Sequence, residues 1–164
     1  YMDTTDVNVV HYDLRSVGRQ TPSAGKRLFL EELRFLEKES SVFSNAETMK
    51  IQIRWHVNEP FSGINMKMNI HYRDSSPVGS THPVSLGAAE PGKTYTTVFE
   101  FDPSLLGEGQ YFFYLDIFER ALTNPVCLDK PSTEFHFEVT NEDFTIPEWP
   151  AGWGRIHFPP VKIL

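Results

Sequence analysis

Apolar and polar positions alternate through two consecutive runs near the middle of the chain. In M-K-I-Q-I-R-W-H-V, Met49, Ile51, Ile53, Trp55 and Val57 alternate with Lys50, Gln52, Arg54 and His56. In I-N-M-K-M-N-I-H-Y, Ile64, Met66, Met68, Ile70 and Tyr72 alternate with Asn65, Lys67, Asn69 and His71. A period of two collects the apolar side chains on one face of a strand, whereas a helix would scatter them around its circumference. Pro60 and Gly63 between the runs suit a turn. The pattern predicts two antiparallel strands, each with one apolar and one polar face, and a second layer that covers the apolar side.

The same period recurs later. Tyr95, Thr97, Phe99 and Phe101 alternate with polar positions, as do Phe135, Phe137 and Val139 around an outward His136. The run Y-F-F-Y-L-D-I-F-E (residues 111–119) is apolar on both faces, with Phe112, Tyr114, Asp116 and Phe118 sharing one of them. Residues 82–86 suit a short edge strand, because Pro83 cannot donate to a ladder. Residues 73–80 and 120–133 read as loops from their Pro, Gly and Ser content. Residues 26–38 are ambiguous. Phe29, Leu33 and Leu36 fit a helical stripe, Leu33 and Phe35 fit a strand, and the propensities favour helix. Their position places them as the first strand of a sandwich.

Many short strands with intervening loops predict an all-β antiparallel β-sandwich. Residues 1–25 read as an irregular leader or linker with room for one edge strand near residues 7–12. Residues 26–140 form the sandwich. Residues 141–164 are a Trp- and Pro-rich tail with Trp149, Trp153, Ile156, Phe158, Val161 and Ile163. So apolar a tail is expected to pack on the domain or on a second copy.

Composition narrows the function. A chain of 164 residues suits one domain that needs no staples. Its lone cysteine, Cys127, excludes an internal disulfide and fits a reducing compartment. The formal charge of −7 argues against a nucleic-acid partner. No apolar run approaches a membrane span, and the first residues lack the pattern of a signal peptide. The chain starts at Tyr1 rather than Met, as a segment of a longer protein would.

One motif match misleads. Gly87-Ala88-Ala89-Glu90-Pro91-Gly92-Lys93-Thr94 fits G-x-x-x-x-G-K-[ST]. A phosphate loop needs a helix after it, with the helix N-terminus facing the phosphates. The residues after Thr94 make a β-branched, aromatic run of period two, so the expectation is a hairpin corner at Pro91-Gly92 and no enzyme. The histidines His11, His56, His71, His82, His136 and His157 show no metal-binding spacing, so neither a metal nor another cofactor is expected. Asp116 and Glu119 are the candidate carboxylates for glycoside cleavage, but strand parity sets them on opposite faces.

The outward strand faces carry the positive signal. Arg54, His56, Asn69, His71, Tyr114, Asp116 and His136 offer planar donors and acceptors that match sugar hydroxyls. Phe112 and Phe118 flank Tyr114 and Asp116, and rings of this kind cover sugar C–H faces. The competing reading is an ordinary solvated face with the two phenylalanines in the core. A structural or protein-interaction sandwich using the tail as its sticky surface also stays open.

Several segments together carry a family resemblance: E-L-R-F-L-E-K, S-N-A-E-T-M-K-I-Q-I-R-W, I-N-M-K-M-N-I-H-Y-R-D, G-E-G-Q-Y-F-F-Y-L-D-I-F-E, and F-H-F-E-V ahead of a Trp-rich tail. In this order they resemble the C-terminal domain of Wzt-type subunits, the nucleotide-binding subunits of O-antigen polysaccharide ABC exporters. The resemblance spans roughly residues 26–140, and Gly109-Gln110-Tyr111 is its most specific piece. It implies an immunoglobulin-like sandwich that binds the finished O-polysaccharide without cleaving it. It further implies a homodimer, an upstream ATPase domain and a transporter permease as partners, and a cytoplasmic location at the inner face of the bacterial inner membrane. It supplies no sugar-contact motif, so the candidate residues rest on strand geometry.

Overall fold

The computed structural model describes residues 7–119, 125–141 and 151–164. In chain order the strands are β1 (His11–Asp13), β2 (Leu28–Phe35), β3 (Val42–Ser44), β4 (Met49–Val57), β5 (Phe61–Tyr72), β6 (Pro77–Ser80), β7 (Val84–Ala89), β8 (Thr94–Phe101), β9 (Gly109–Glu119), β10 (Val126–Asp129) and β11 (Phe135–Thr140). No α-helix occurs among the described residues. The smaller sheet has the order β1-β2-β4-β8. The larger runs β3-β11-β9-β5-β6, with β10 also pairing β9 and β7 also pairing β5. The ladders are antiparallel except between β3 and β11, which run parallel.

The two alternating runs become β4 and β5, but they do not pair with each other. They lie in different sheets, and the chain crosses from one layer to the other between Val57 and Phe61. Alternation shows which face of a strand is buried and is silent on which strand lies beside it, so two strands that face each other read the same as two that pair. The apolar faces meet in one core. Leu33, Phe35, Ile51, Ile53 and Trp55 come from the smaller sheet, and Met66, Met68, Tyr111, Phe113, Leu115, Phe135 and Phe137 from the larger. Phe35 meets Phe113 across the layers at 6.3 Å between ring centroids.

The ambiguity of residues 26–38 resolves as strand, and the ambiguity has a physical cause. Leu28 and Leu30 are buried, then Leu33 and Phe35. The switch from even to odd positions occurs at a β-bulge: Leu30 faces Trp55, Glu32 faces Arg54, and Glu31 is the extra residue. A bulge shifts side-chain parity by one and mimics the spacing of a helical stripe. It also disturbs the ladder, and the backbone of Leu30 finds other partners. Its N–H donates to Asp129 Oδ2 at 2.6 Å. Its carbonyl accepts from Arg19 Nη2 at 2.9 Å.

Arg19 and Asp129 pair with each other, Nε to Oδ1 at 2.9 Å, with side chains 8% and 0% exposed. Arg19 Nη1 also donates to the carbonyls of Leu14 and Val17. The guanidinium lies 4.2 Å from the Phe29 ring centroid. Burial pushes the Asp129 carboxyl up from its ordinary value, and the Leu30 N–H and the guanidinium pull against that. The pair ties the leader to β2 of one sheet and to β10 of the other. The leader itself is packed: Leu14 is fully buried and β1 extends the edge of β2.

Other differences from the sequence reading are local. Residues 77–80, read as loop, form β6, and β7 runs on to Ala89. Within residues 120–133, read as loop, Val126–Asp129 form β10. The corner between β7 and β8 does use Gly92, at φ +80°. Of the tail, residues 142–150, including Trp149, lie outside the described residues. The rest docks through Ile156 beside Leu106. Gly107 donates to the Arg155 carbonyl at 2.8 Å. A Cβ on Gly107 would run into the His157 imidazole, which would have to move aside.

These buried polar groups make stability testable at two points. Asp129→Ala leaves a guanidinium buried without its anion and is expected to cost about 3–5 kcal/mol in denaturant unfolding. Tyr111 is fully buried, its hydroxyl donates to the Gly107 carbonyl, and burial pushes its pKa up to about 12. The unfolded chain releases this proton nearer pH 10, so the stability that Tyr111 contributes is present below pH 10 and lost as pH rises toward 12. Equilibrium unfolding between pH 9 and 12 should therefore show a steeper decline for the wild type than for Tyr111→Phe, by on the order of 2 kcal/mol.

Candidate functional site

The outer face of the larger sheet carries a cross-strand ladder of polar and aromatic residues. β5 and β9 pair in a register that sets Lys67 opposite Asp116, Asn69 opposite Tyr114, and His71 opposite Phe112. On the far side of β9, His136 of β11 also faces Phe112. Parity aims all these side chains away from the core, whose residues occupy the alternate positions.

The rings are packed against each other. His71 stacks on Phe112 with centroids 5.2 Å apart and planes 5° from parallel. Tyr114 meets both edge-on, at 5.5 Å from His71 and 5.6 Å from Phe112. His136 closes the row at 5.5 Å from Phe112. Phe112 is thereby only 2% exposed although it faces outward. The Tyr114 hydroxyl lies 3.3 Å from Glu134 Oε2. Burial first, and the Glu134 carboxylate second, raise its pKa. Ser80 of β6 donates to Asn69 Oδ1 at 2.8 Å, and the His71 ring sits 3.3 Å from the Ser75 carbonyl.

This face holds a groove of about 410 Å³ lined by Lys67, Asn69, His71, Tyr114, Asp116 and Ser80, with Gln20 and Lys130 also on its lining. The volume falls in the range of small-molecule sites, roughly 300–1,000 Å³. The β5 and β9 side chains form the floor. Pro77, Gly79 and Ser80 of β6 form one wall. Gln20 and Lys130 lie beyond β9 and form the other. Amide, hydroxyl, imidazole, ammonium and carboxylate groups meet here within one concave surface, and together they can both donate to and accept from a polyol.

The structure brings Asn69, His71, Tyr114 and Asp116 into the groove and puts His136 beside it. Arg54 and His56 are elsewhere, on β4 of the opposite sheet. Arg54 lies 3.5 Å from Glu31, and His56 lies 2.8 Å from Thr94 Oγ1. Lys67 shares the parity of Asn69 and His71, so its position was readable from the alternation. Gln20 and Lys130 sit in segments read as leader and loop, where no local pattern marks them. Glu119 is held by Arg27 Nη1 at 3.0 Å and does not line the groove. At the phosphate-loop match, Thr94 opens β8 rather than a helix, and the Lys93 ammonium pairs with Glu90. Among the described residues, no group of three or more His, Cys, Asp or Glu is placed to hold a metal ion, and no helix is long and apolar enough to cross a membrane.

Comparison with known proteins bears on this fold. No curated protein matches the chain. Among solved structures, the crystal structure of the C-terminal domain of Wzt superposes with a TM-score of 0.62 at 13% identity, covering 92% of this chain and 89% of that one. A beta-glucosidase from Listeria innocua in complex with gluconolactone reaches a TM-score of only 0.40 at 12% identity, over 68% of this chain and 15% of that one, too distant to inform function. The family described as the Wzt C-terminal domain matches residues 28–146, most of the sandwich. With that match over most of its length and the same fold in the solved domain, the chain belongs to the Wzt C-terminal domain family.

Proposed function

We propose that this chain is a non-catalytic carbohydrate-binding domain that couples O-antigen polysaccharide to export by an ABC transporter, and that the groove over β5 and β9 holds the glycan. The observation that carries the reading is the coincidence, in a member of this family, of an amide, a phenol, a carboxylate and an imidazole in one concave surface. On this reading residues 26–140 hold most of the binding unit, and the bound end is a short stretch of glycan. An ATPase domain upstream in the same subunit and the transporter permease are the protein partners, at the inner face of the bacterial inner membrane.

The tail supports a second copy as a further partner. Phe158, Val161, Ile163 and Leu164 are 76% to 111% exposed. So many large apolar side chains in succession beyond the docked Ile156 favour a protein contact over a free end.

Two experiments test these points. Titration with O-polysaccharide purified from the strain that encodes the chain should perturb Asn69, His71 and Tyr114 in NMR spectra. Tyr114→Ala and Asn69→Ala should weaken binding by about 5- to 30-fold, with both variants still folded by circular dichroism. Absence of binding at millimolar glycan would end the reading. Truncation after His157 spares the contacts at Gly107, so it should lower the mass measured by light scattering from dimer to monomer and leave the circular dichroism unchanged. A wild type that is already monomeric would remove the dimer from the proposal.

A further inference from the structure

We infer that Gln20 and Lys130 contact the ligand directly, and that the buried Arg19–Asp129 pair is the positioning device that holds them there. This rests on the groove being the glycan site, and it extends that site into residues 1–25, outside the segment that carries the family pattern.

Each wall residue directly follows one member of the buried pair in the chain. The two backbones are then tied together. The Gln20 N–H donates to the Lys130 carbonyl at 3.0 Å, and Arg19 bridges to Pro131. Lys130 N–H donates to Asp129 Oδ1 at 2.9 Å, so one carboxylate anchors Arg19, the bulge in β2 and the wall itself. The Gln20 side chain donates through Nε2 to the Pro131 carbonyl at 3.2 Å. That fixes the amide plane and leaves Oε1 to accept from a ligand.

The charges of the groove point the same way. Elsewhere on the surface acids and bases meet: Arg15 with Asp13, Lys38 with Glu47, Lys50 with Glu37, Arg27 with Glu59 and Glu119. In the groove Lys67 and Asp116 stand directly opposite in register, yet they form no ion pair, and neither does Lys130 with any described residue. Ammonium groups on floor and wall, with one carboxylate between them, offer charge-assisted bonds of both polarities. A saccharide matches them, because each hydroxyl both donates and accepts: one hydroxyl donates to Asp116 while a neighbouring one accepts from Lys130. The glycan is then gripped from both sides, by β6 and by the leader wall.

Calorimetric titration with the purified O-polysaccharide separates the alternatives. Lys130→Gln should weaken binding by about 10-fold with the thermal midpoint unchanged, Lys130→Arg should recover most of it, and Gln20→Ala should cost about 3- to 10-fold. The double variant Arg19→Met/Asp129→Leu replaces the ion pair by apolar side chains, an exchange that preserves stability in other buried pairs. It should fold and still bind at least about 5-fold more weakly, because the bonds that set the wall are gone. If the Lys130 and Gln20 variants bind like the wild type while Tyr114→Ala does not, the wall is overturned and the groove stands. If the double variant is as stable as the wild type and binds as well, the positioning role is overturned. If the wild type binds no glycan, both fall together.

Discussion

A buried ion pair closes this sandwich at the bulge in β2. The bulge in β2 leaves the Leu30 amide and carbonyl in need of partners, and the Arg19 guanidinium and Asp129 carboxylate supply one each. The pair sits where the leader, the smaller sheet and the larger sheet converge. Its charges are out of water, which is costly, and the cost is offset because nearly every polar atom has a partner: three carbonyls, two amides and a ring face. Apolar packing between the sheets is plastic in comparison, since alternative side chains of similar volume fill a core. The polar junction is directional where the core is not, and its bonds fix how the leader, β2 and β10 meet.

The larger sheet has two different faces built from the same strands. Inward, Tyr111, Phe113, Phe135 and Phe137 form a continuous aromatic core. Outward, one residue away along each strand, His71, Phe112, Tyr114 and His136 form a second, smaller ring cluster. The groove therefore lies on a floor braced from behind by the core. The polar groups of its floor project from regular strands, which hold side chains more precisely than loops do, and only Gln20 and Lys130 come from irregular segments.

Period-two alternation made β4, β5, β8 and β11 legible, because each buries one face against a common core, and β9 stood out as an aromatic run apolar on both faces. It could not say that β4 and β5 sit in opposite layers. The same limit explains why Arg54 and His56 were grouped with Asn69 and His71: parity marks them all as outward, and outward has two opposite directions in a sandwich. Residues 26–38 were ambiguous because Glu31 breaks the period. β6 and β10 are short edge segments whose pairing depends on neighbours distant in sequence. Gln20 and Lys130 were invisible for a related reason. Their place in the groove comes from a contact between residues 19 and 129, and nothing in the composition of either segment encodes a meeting across so much of the chain.

On the proposed reading, the sealing of Phe112 beneath its neighbours would also set the strength of the grip. A ring left bare would offer a flat apolar platform and hold a sugar by displaced water. Here that platform is already occupied by the protein's own imidazoles, and only the edge of Tyr114 and a row of polar atoms remain for a guest. Each such hydrogen bond merely replaces one to solvent and nets about 0.5–1.5 kcal/mol. On the proposed reading, a saccharide in this groove would be selected by shape and hydroxyl pattern and released quickly, as passing it on to a transporter would require.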